Sequence, residues 1–298
     1  MSIRANPNIV PDLLSGLNQS LQQLDQSDLE LGSGRSINQP SDNPSGTSAL
    51  ILNHDAQREV DSYQQNIGDL QSKLQIADSA LSSATTVINQ AISLGVEAGN
   101  SDLSDSDRQA VAQQLAGVQQ QLVGIANTTA GGVYLFAGTQ VETQPFTLDS
   151  AAAAGVTYQG NSSTTSVQIA NGRSVTANVP GDQLFLNSSG SLLGAVNQLL
   201  TAVQNNSGIS AAVSALGQAS TEFNTQRLSY DTSLNEMQST ASFLTNEQVQ
   251  LSTQETNIDG ANIPQVVTQF SQAEIGYSSL LSAEGKILNL PNLLDYLQ

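Results

Sequence analysis

Cysteine is absent from this sequence of 298 residues. No disulfide can brace the chain in an oxidising compartment, and a chain that travels unfolded cannot form wrong bridges on the way. Basic residues are scarce as well: eight Lys and Arg stand against 26 Asp and Glu, for a formal net charge of −18. Without a basic patch, nucleic-acid binding is excluded, and an acidic membrane surface repels the chain. Aromatic residues make up 4% and charged residues 11%, so any core is built thinly from Leu, Ile, Val and Ala. No run of about 18 apolar residues occurs, and no transmembrane helix is expected. Residues Met1–Pro7 lack the apolar stretch of a Sec-type signal peptide, which leaves cytosolic residence or export by another route.

Catalytic signatures are missing too. The single histidine, His54, sits inside a long heptad pattern and reads as a plain surface residue. There is no HExxH, no Cys/His cluster and no Gly-rich phosphate loop. Glu142, Asp149 and Asp182 are carboxylates of the type a glycosidase pairs, but nothing fixes their separation. Asn100–Asp107 is acidic and turn-like. It lacks the glycine and terminal Glu of a calcium loop and reads instead as a helix N-cap with Asp in the first turn. The expectation is no enzyme, no metal and no cofactor.

What the chain has is heptad spacing. In residues 8–31, Val10, Leu17, Leu24 and Leu31 recur every seven residues, with Leu14 and Leu21 in the complementary row and Asp28 breaking it. A helix with so narrow a seam needs a partner. From Pro44 to about Gly95 or Gly99, Val60, Ile67, Leu74, Leu81 and Ile88 form one row. Ala49, Ala56, Tyr63, Leu70, Ala77, Ala84, Ala91 and Ala98 form the other. Such a helix extends about 80 Å and reads as a rod. A third helix follows with Val111, Val118 and Ile125 beside Leu115, Leu122 and Thr129, uncharged from Gln109 to Val141 and so shielded by a neighbour. From Gly131 to about residue 190 the period changes to β. Asn171-Gly172 between alternating runs predicts a hairpin on a type I′ turn. Asn205–Gly208 restarts a helix in which Ile209, Leu216, Phe223, Tyr230, Met237, Leu244, Leu251 and Ile258 keep heptad spacing. A last helix carries Val266, Ala273, Leu280, Ile287 and Leu294, with Phe270 and Tyr277 alongside.

Two elbows punctuate this order. Leu31–Gly46 holds the helix-stop residues Gly32 and Gly34 and the extended pair Gln39-Pro40. Ser41, Asp42 or Asn43 then serves as N-cap ahead of Pro44. Arg35 and Asp42 flank the joint. Asp259–Pro264 is its counterpart near the other end.

The expected fold is mainly α with a small inserted β domain, its long antiparallel heptad helices forming a coiled-coil-like rod with disordered or assembly-dependent terminal helices. The parts are an N-terminal assembly arm and elbow (1–45), an outgoing rod (46–132), a β-rich insert (133–205), a returning rod (206–258) and a C-terminal assembly arm (259–298). The expected assembly interface comprises Leu14, Leu17, Leu21, Leu24 and Leu31, then Gly34, Arg35, Asn38 and Asp42 at the elbow. On the last arm it comprises Val266, Phe270, Tyr277, Leu280, Ile287 and Leu294.

Leu31-Gly32-Ser33-Gly34-Arg35-Ser36-Ile37-Asn38, followed by Pro40-Ser41-Asp42-Asn43-Pro44, resembles the N-terminal signature of the bacterial flagellin superfamily. Gly132–Thr139 and the ending Ile287–Leu297, with its Leu-Leu-Asp-Tyr, are similar to the hook-associated (FlgL) branch rather than to filament flagellins. Gly32, Asn43 and Pro291 depart from the pattern. The resemblance implies a structural protein of the flagellum at the junction of hook and filament, extracellular and exported by the flagellar type III apparatus. It implies contact with the other hook-associated protein (FlgK), with flagellin and with copies of itself in a ring. It also implies a FlgN-like export chaperone, for which Phe270, Tyr277, Leu280, Leu281 and Leu288 are the candidate face. The alternative is a flagellin-type filament subunit. A secreted flagellin-like enzyme is a third possibility, against which the lack of a metal motif in residues 140–200 argues.

Overall fold

The computed structural model describes residues 9–187 and 191–288. The fold is mainly α with a small region of short antiparallel β strands. The chain forms two compact units, one of residues 59–246 and one of residues 1–58 with 247–298.

The first of these units is built on long helices. Helix α2 runs Pro44–Ala98 and helix α6 runs Ile209–Asp259. Within residues 59–246 they are antiparallel: Arg227 Nε donates to Asp78 Oδ1 at 2.8 Å, and Thr85 Oγ1 donates to Asn224 Oδ1 at 3.2 Å. The heptad rows set this pairing. Ile67, Leu74, Leu81 and Ile88 are buried, as are Leu216, Phe223, Tyr230 and Met237. Helix α2 does not stop at Gly95. A Cβ there would come within 2.6 Å of Val213 Cγ2 and 3.0 Å of Leu199, so this glycine admits its neighbours rather than ending a helix. Gly95→Ala is expected to lower the thermal stability of residues 59–246 by about 1–3 kcal/mol through overpacking, measured by calorimetry.

Helix α3 (Asp105–Ala126) is capped by Ser104, whose side chain accepts from the Asp107 amide, with Asp105 and Asp107 in the first turn. It ends at Ala126, so Thr129 of the expected row falls in a strand instead. Helix α3, uncharged from Gln109 onward, is covered by α5 (Leu192–Gln204), a helix within the segment read as β-rich. The buried α5 residues Leu192, Leu193, Val196, Leu199, Leu200 and Val203 keep helical spacing, with Asn197, Gln198 and Thr201 on the opposite side, so the helical period is present in the sequence.

The β region is three two-stranded antiparallel sheets. Strands β1 (Thr129–Ala130) and β2 (Val133–Tyr134) join through Gly131 and Gly132, both at positive φ. That is the φ pattern of a type I′ turn. The expected I′ turn at Asn171-Gly172 is different. β5 (Ser166–Ala170) and β6 (Arg173–Thr176) do form a hairpin there. Only Gly172 is at positive φ, since Asn206 is the sole non-glycine described residue in that region. An irregularity between Gln168 and Ala170 absorbs the twist that a primed turn would have supplied.

Strands β3 (Phe146–Leu148) and β4 (Val156–Tyr158) and the short helix α4 (Gly181–Phe185) enclose an aromatic cluster. Phe185 stands 5.5 Å from each of Phe136, Phe146 and Phe223, centroid to centroid. A chain with six Phe has placed four of them here. Tyr158 donates to the Phe136 carbonyl at 3.0 Å, and burial with the Asp182 charge pushes its phenol up to about 12, so it remains a donor.

The second unit pairs α1 (Ile9–Ser33) with α7 (Ile263–Leu288), antiparallel, so that Gly16 lies against Leu280 and Gly276 against Ser20.

Candidate functional site: the clasped elbows

The site begins with two helix ends. Helix α1 stops because Gly34 adopts φ +70° and its amide returns to the Glu30 carbonyl at 2.9 Å. Helix α6 stops at Gly260, whose amide bonds the Thr256 carbonyl at 2.8 Å and whose missing Cβ would lie 2.4 Å from that oxygen. The chain after each stop is extended, and the two stretches meet. Arg35 and Gly260 form an antiparallel bridge. The Ser36 amide donates to the Asp259 carbonyl at 2.6 Å, and the Ala261 amide to the Gly34 carbonyl at 3.0 Å.

Side chains tighten this bridge. The Asp259 carboxylate is buried, and it accepts from the Ile37 amide at 2.9 Å and from Arg35 Nε at 3.2 Å. One helical turn earlier, Glu255 accepts from Arg35 Nη2 at 3.3 Å, from His54 Nε2 at 3.1 Å and from Gln57 Nε2 at 2.9 Å. Asn53 ties the same turn of α2 to the Leu251 carbonyl at 3.0 Å. The i, i+4 spacing of Glu255 and Asp259 puts both carboxylates on one helix face, where a single guanidinium reaches them. Ile37 is buried above Gly46, where a Cβ would lie 2.6 Å from its Cδ1.

Arg35 therefore pairs across the chain, not with Asp42. Asp42 closes its own loop by accepting from the Asn38 and Gln39 amides at 3.0 and 2.8 Å, while Asn38 Nδ2 donates to the Arg35 carbonyl. Asn43, of the three candidates, is the N-cap, with Oδ1 accepting from the Gly46 amide at 2.9 Å. His54 is not a plain surface residue but a partner of Glu255. Glu255 escaped the sequence reading, and Asp259 entered it only as the first residue of the second elbow. Their spacing was visible, but nothing local says which distant helix end they meet.

The Glu255 carboxyl is held below its ordinary range, chiefly by the hydrogen bonds from Gln57 and His54, with burial opposing. A depressed folded-state pKa contributes stability above the unfolded carboxyl range. That contribution disappears as pH falls through the folded value. Amide protection at Ser36 and Ile37 is expected to be flat from about pH 7 to 5 and to drop below about pH 4. Glu255→Gln should flatten that drop, as read by hydrogen exchange against pH.

The arm residues divide by side. Leu17, Leu24 and Leu31 are half-buried against α7. Their companions on the inner face are Leu13, Ser20 and Ser27, whereas Leu14 and Leu21 are exposed. Small residues at 20 and 27 let α1 approach Ala273 and Gly276 closely, and that turns the inner face one residue away from the expected row. On α7, Val266, Phe270, Tyr277 and Leu280 face inward and Leu281 is exposed. Leu294 and the side chains of Ile287 and Leu288 lie outside the described residues.

Among the described residues no group of His, Cys, Asp and Glu could hold a metal ion, and no helix is long and apolar enough to cross a membrane.

The family described as bacterial flagellin N-terminal helical region matches residues 9–141. Flagellar hook-associated protein 3 of Salmonella typhimurium is 32% identical over 173 residues, which is 58% of this chain and 53% of that protein. The chain thus spans about half the length of the curated relatives it matches. Its fold is similar to a putative flagellar hook-associated protein from Vibrio parahaemolyticus, with TM-score 0.66 and 18% identity, covering 74% of this chain and 100% of the other. It is also similar to Xanthomonas campestris FlgL, with TM-score 0.61 and 18% identity, covering 68% and 99%.

Proposed function

We infer that this chain, similar over residues 9–141 to the bacterial flagellin N-terminal helical region and in part to hook-associated protein 3, belongs to the flagellin superfamily and is a structural subunit seated between hook and filament of the bacterial flagellum. The observation that carries the reading is the outward side of the arm pair. Leu14, Leu21 and Leu29 on α1, and Ile263, Val267, Ile275 and Leu281 on α7, are exposed although the two arms already cover each other. Apolar side chains left over after a helix pair has formed mark contact with further chains. Those chains are copies of this one in a ring, the other hook-associated protein (FlgK) on one side and flagellin on the other. The work is assembly rather than catalysis.

Export precedes assembly in this reading. The unfolded chain leaves through the flagellar type III apparatus to an extracellular position. An export chaperone of the FlgN kind holds Phe270, Tyr277 and Leu280 before α1 takes them, with Leu281 and Leu288 in the same segment. The parts follow: 1–45 and 259–298 are assembly arms, 46–132 and 206–258 the long helices, and 133–205 the insert.

A deletion strain tests this. It is expected to make hooks without filaments and to release flagellin into the medium. Hooks bearing normal filaments would rule the junction role out. Filaments lost through failure of polymerisation itself would favour a filament subunit.

A further inference from the structure

We propose that the cavity between α3 and α5 is a carboxylate-binding site anchored by Arg108. The cavity measures about 440 Å³ and is lined by Asp105, Arg108, Gln109, Gln113, Gln204 and Asn206, among others. Arg108 is 9% exposed. Its Nη2 donates to the Leu103 carbonyl at 2.9 Å and its Nη1 to Asn206 Oδ1, while Nε has no partner. Among the described residues no carboxylate pairs with it. By contrast Arg58 and Arg227 each hold one and Arg35 holds two, although Arg58 is far more exposed and needs it least.

An enclosed guanidinium with neutral partners alone is costly, because the lost hydration of its charge is not returned. A chain with 26 acidic residues does not lack carboxylates to place there. The fold instead invests in the position. Asn206 is held at φ 48°, the only non-glycine described residue at positive φ, and its side chain receives Nη1. A fixed guanidinium with free N–H groups is built for the bidentate geometry of a carboxylate, and Gln109, Gln113 and Gln204 add uncharged donors around it. Asp105 lines the same cavity and repels doubly charged oxyanions more than singly charged ones. The ligand class is therefore a monocarboxylate, either free or carried by an Asp or Glu of a second copy of this chain. The latter source rests on the assembly reading above; the former does not.

The test reads the Arg108 Nε–Hε resonance in the full-length chain, assigned with Arg108→Lys. Acetate is expected to shift it saturably, while chloride and sulfate at matched ionic strength do not. Arg108→Gln should weaken acetate binding by about tenfold or more. A resonance that moves on self-assembly without acetate, and that acetate then displaces, identifies the second copy as the source. If only the monomer responds, the source is a free carboxylate. A resonance unmoved in both acetate and the assembled state overturns the site and leaves a buried arginine served by water. Should Arg108→Gln fail to fold, Asn206→Gly keeps the guanidinium and removes the positive-φ strain. It should retain stability and still bind acetate more weakly. Undiminished binding by that variant would also overturn the proposal.

Discussion

Asp259→Ala is expected to open the clasp between the two elbows. The side chain is 5% exposed and accepts from the Ile37 amide and Arg35 Nε. Removing it leaves the Ile37 N–H buried without an acceptor. Loss of a hydrogen bond to a charged acceptor costs about 2–3 kcal/mol. The ion pair adds at most about 1 kcal/mol, because Arg35 is 55% exposed and screened. Exchange of the Ile37 amide should accelerate by about thirtyfold or more. The Ser36 amide should follow, since it bonds the carbonyl of the same residue. Arg35→Ala should do less, because the buried acceptor keeps its Ile37 partner. If the two variants are equal, or if Ile37 exchange is unchanged, the buried carboxylate does not hold the joint.

Phe185→Ala is expected to be the most damaging single change to residues 59–246. The ring is fully buried and packs against three others, two of them edge-on. Truncating such a ring costs about 3–5 kcal/mol through lost transfer energy and the cavity left behind. The Phe136, Phe146 and Phe223 rings lose their common neighbour, so their near-UV circular dichroism should fall with the melting temperature. Phe185→Leu fills most of the space and should recover more than half of the loss. Amide exchange at Ser36 and Ile37 should not change in either variant, since the clasp lies in the other unit.

The long elements were legible because their period is long. Five buried residues at seven-residue spacing, Val60 to Ile88, cannot be mistaken for a strand, and α2 and α6 lie where the spacing puts them. Helix α5 was missed because it is short and follows directly on a β-patterned stretch: Leu192, Leu193, Val196, Leu199 and Leu200 keep helical spacing opposite Asn197, Gln198 and Thr201, but over only 13 residues. On α1 both Leu13 and Leu14 suit a seam beside Leu17. Only the small residues of α7 decide between them, and they are more than 240 positions away. The turn chemistry was read correctly in kind and misplaced. Two glycines at 131–132 supply positive φ at no cost, which Asn171-Gly172 does only by half.

The elbow at 31–46 was legible as a joint and illegible as a site. Gly34 and Pro44 announce the break. Arg35 is one charge among few, and its partners Glu255 and Asp259 are more than 200 residues on. Nor does His54 declare itself, because a histidine beside a carboxylate across a helix pair has no local signature.

Electron cryotomography of flagella carrying this chain with a gold-binding tag in the exposed Asn171-Gly172 turn tests the central claim most directly. A single band of label between hook and filament is the expected result. Label distributed along the filament, or absent from the flagellum, would contradict it.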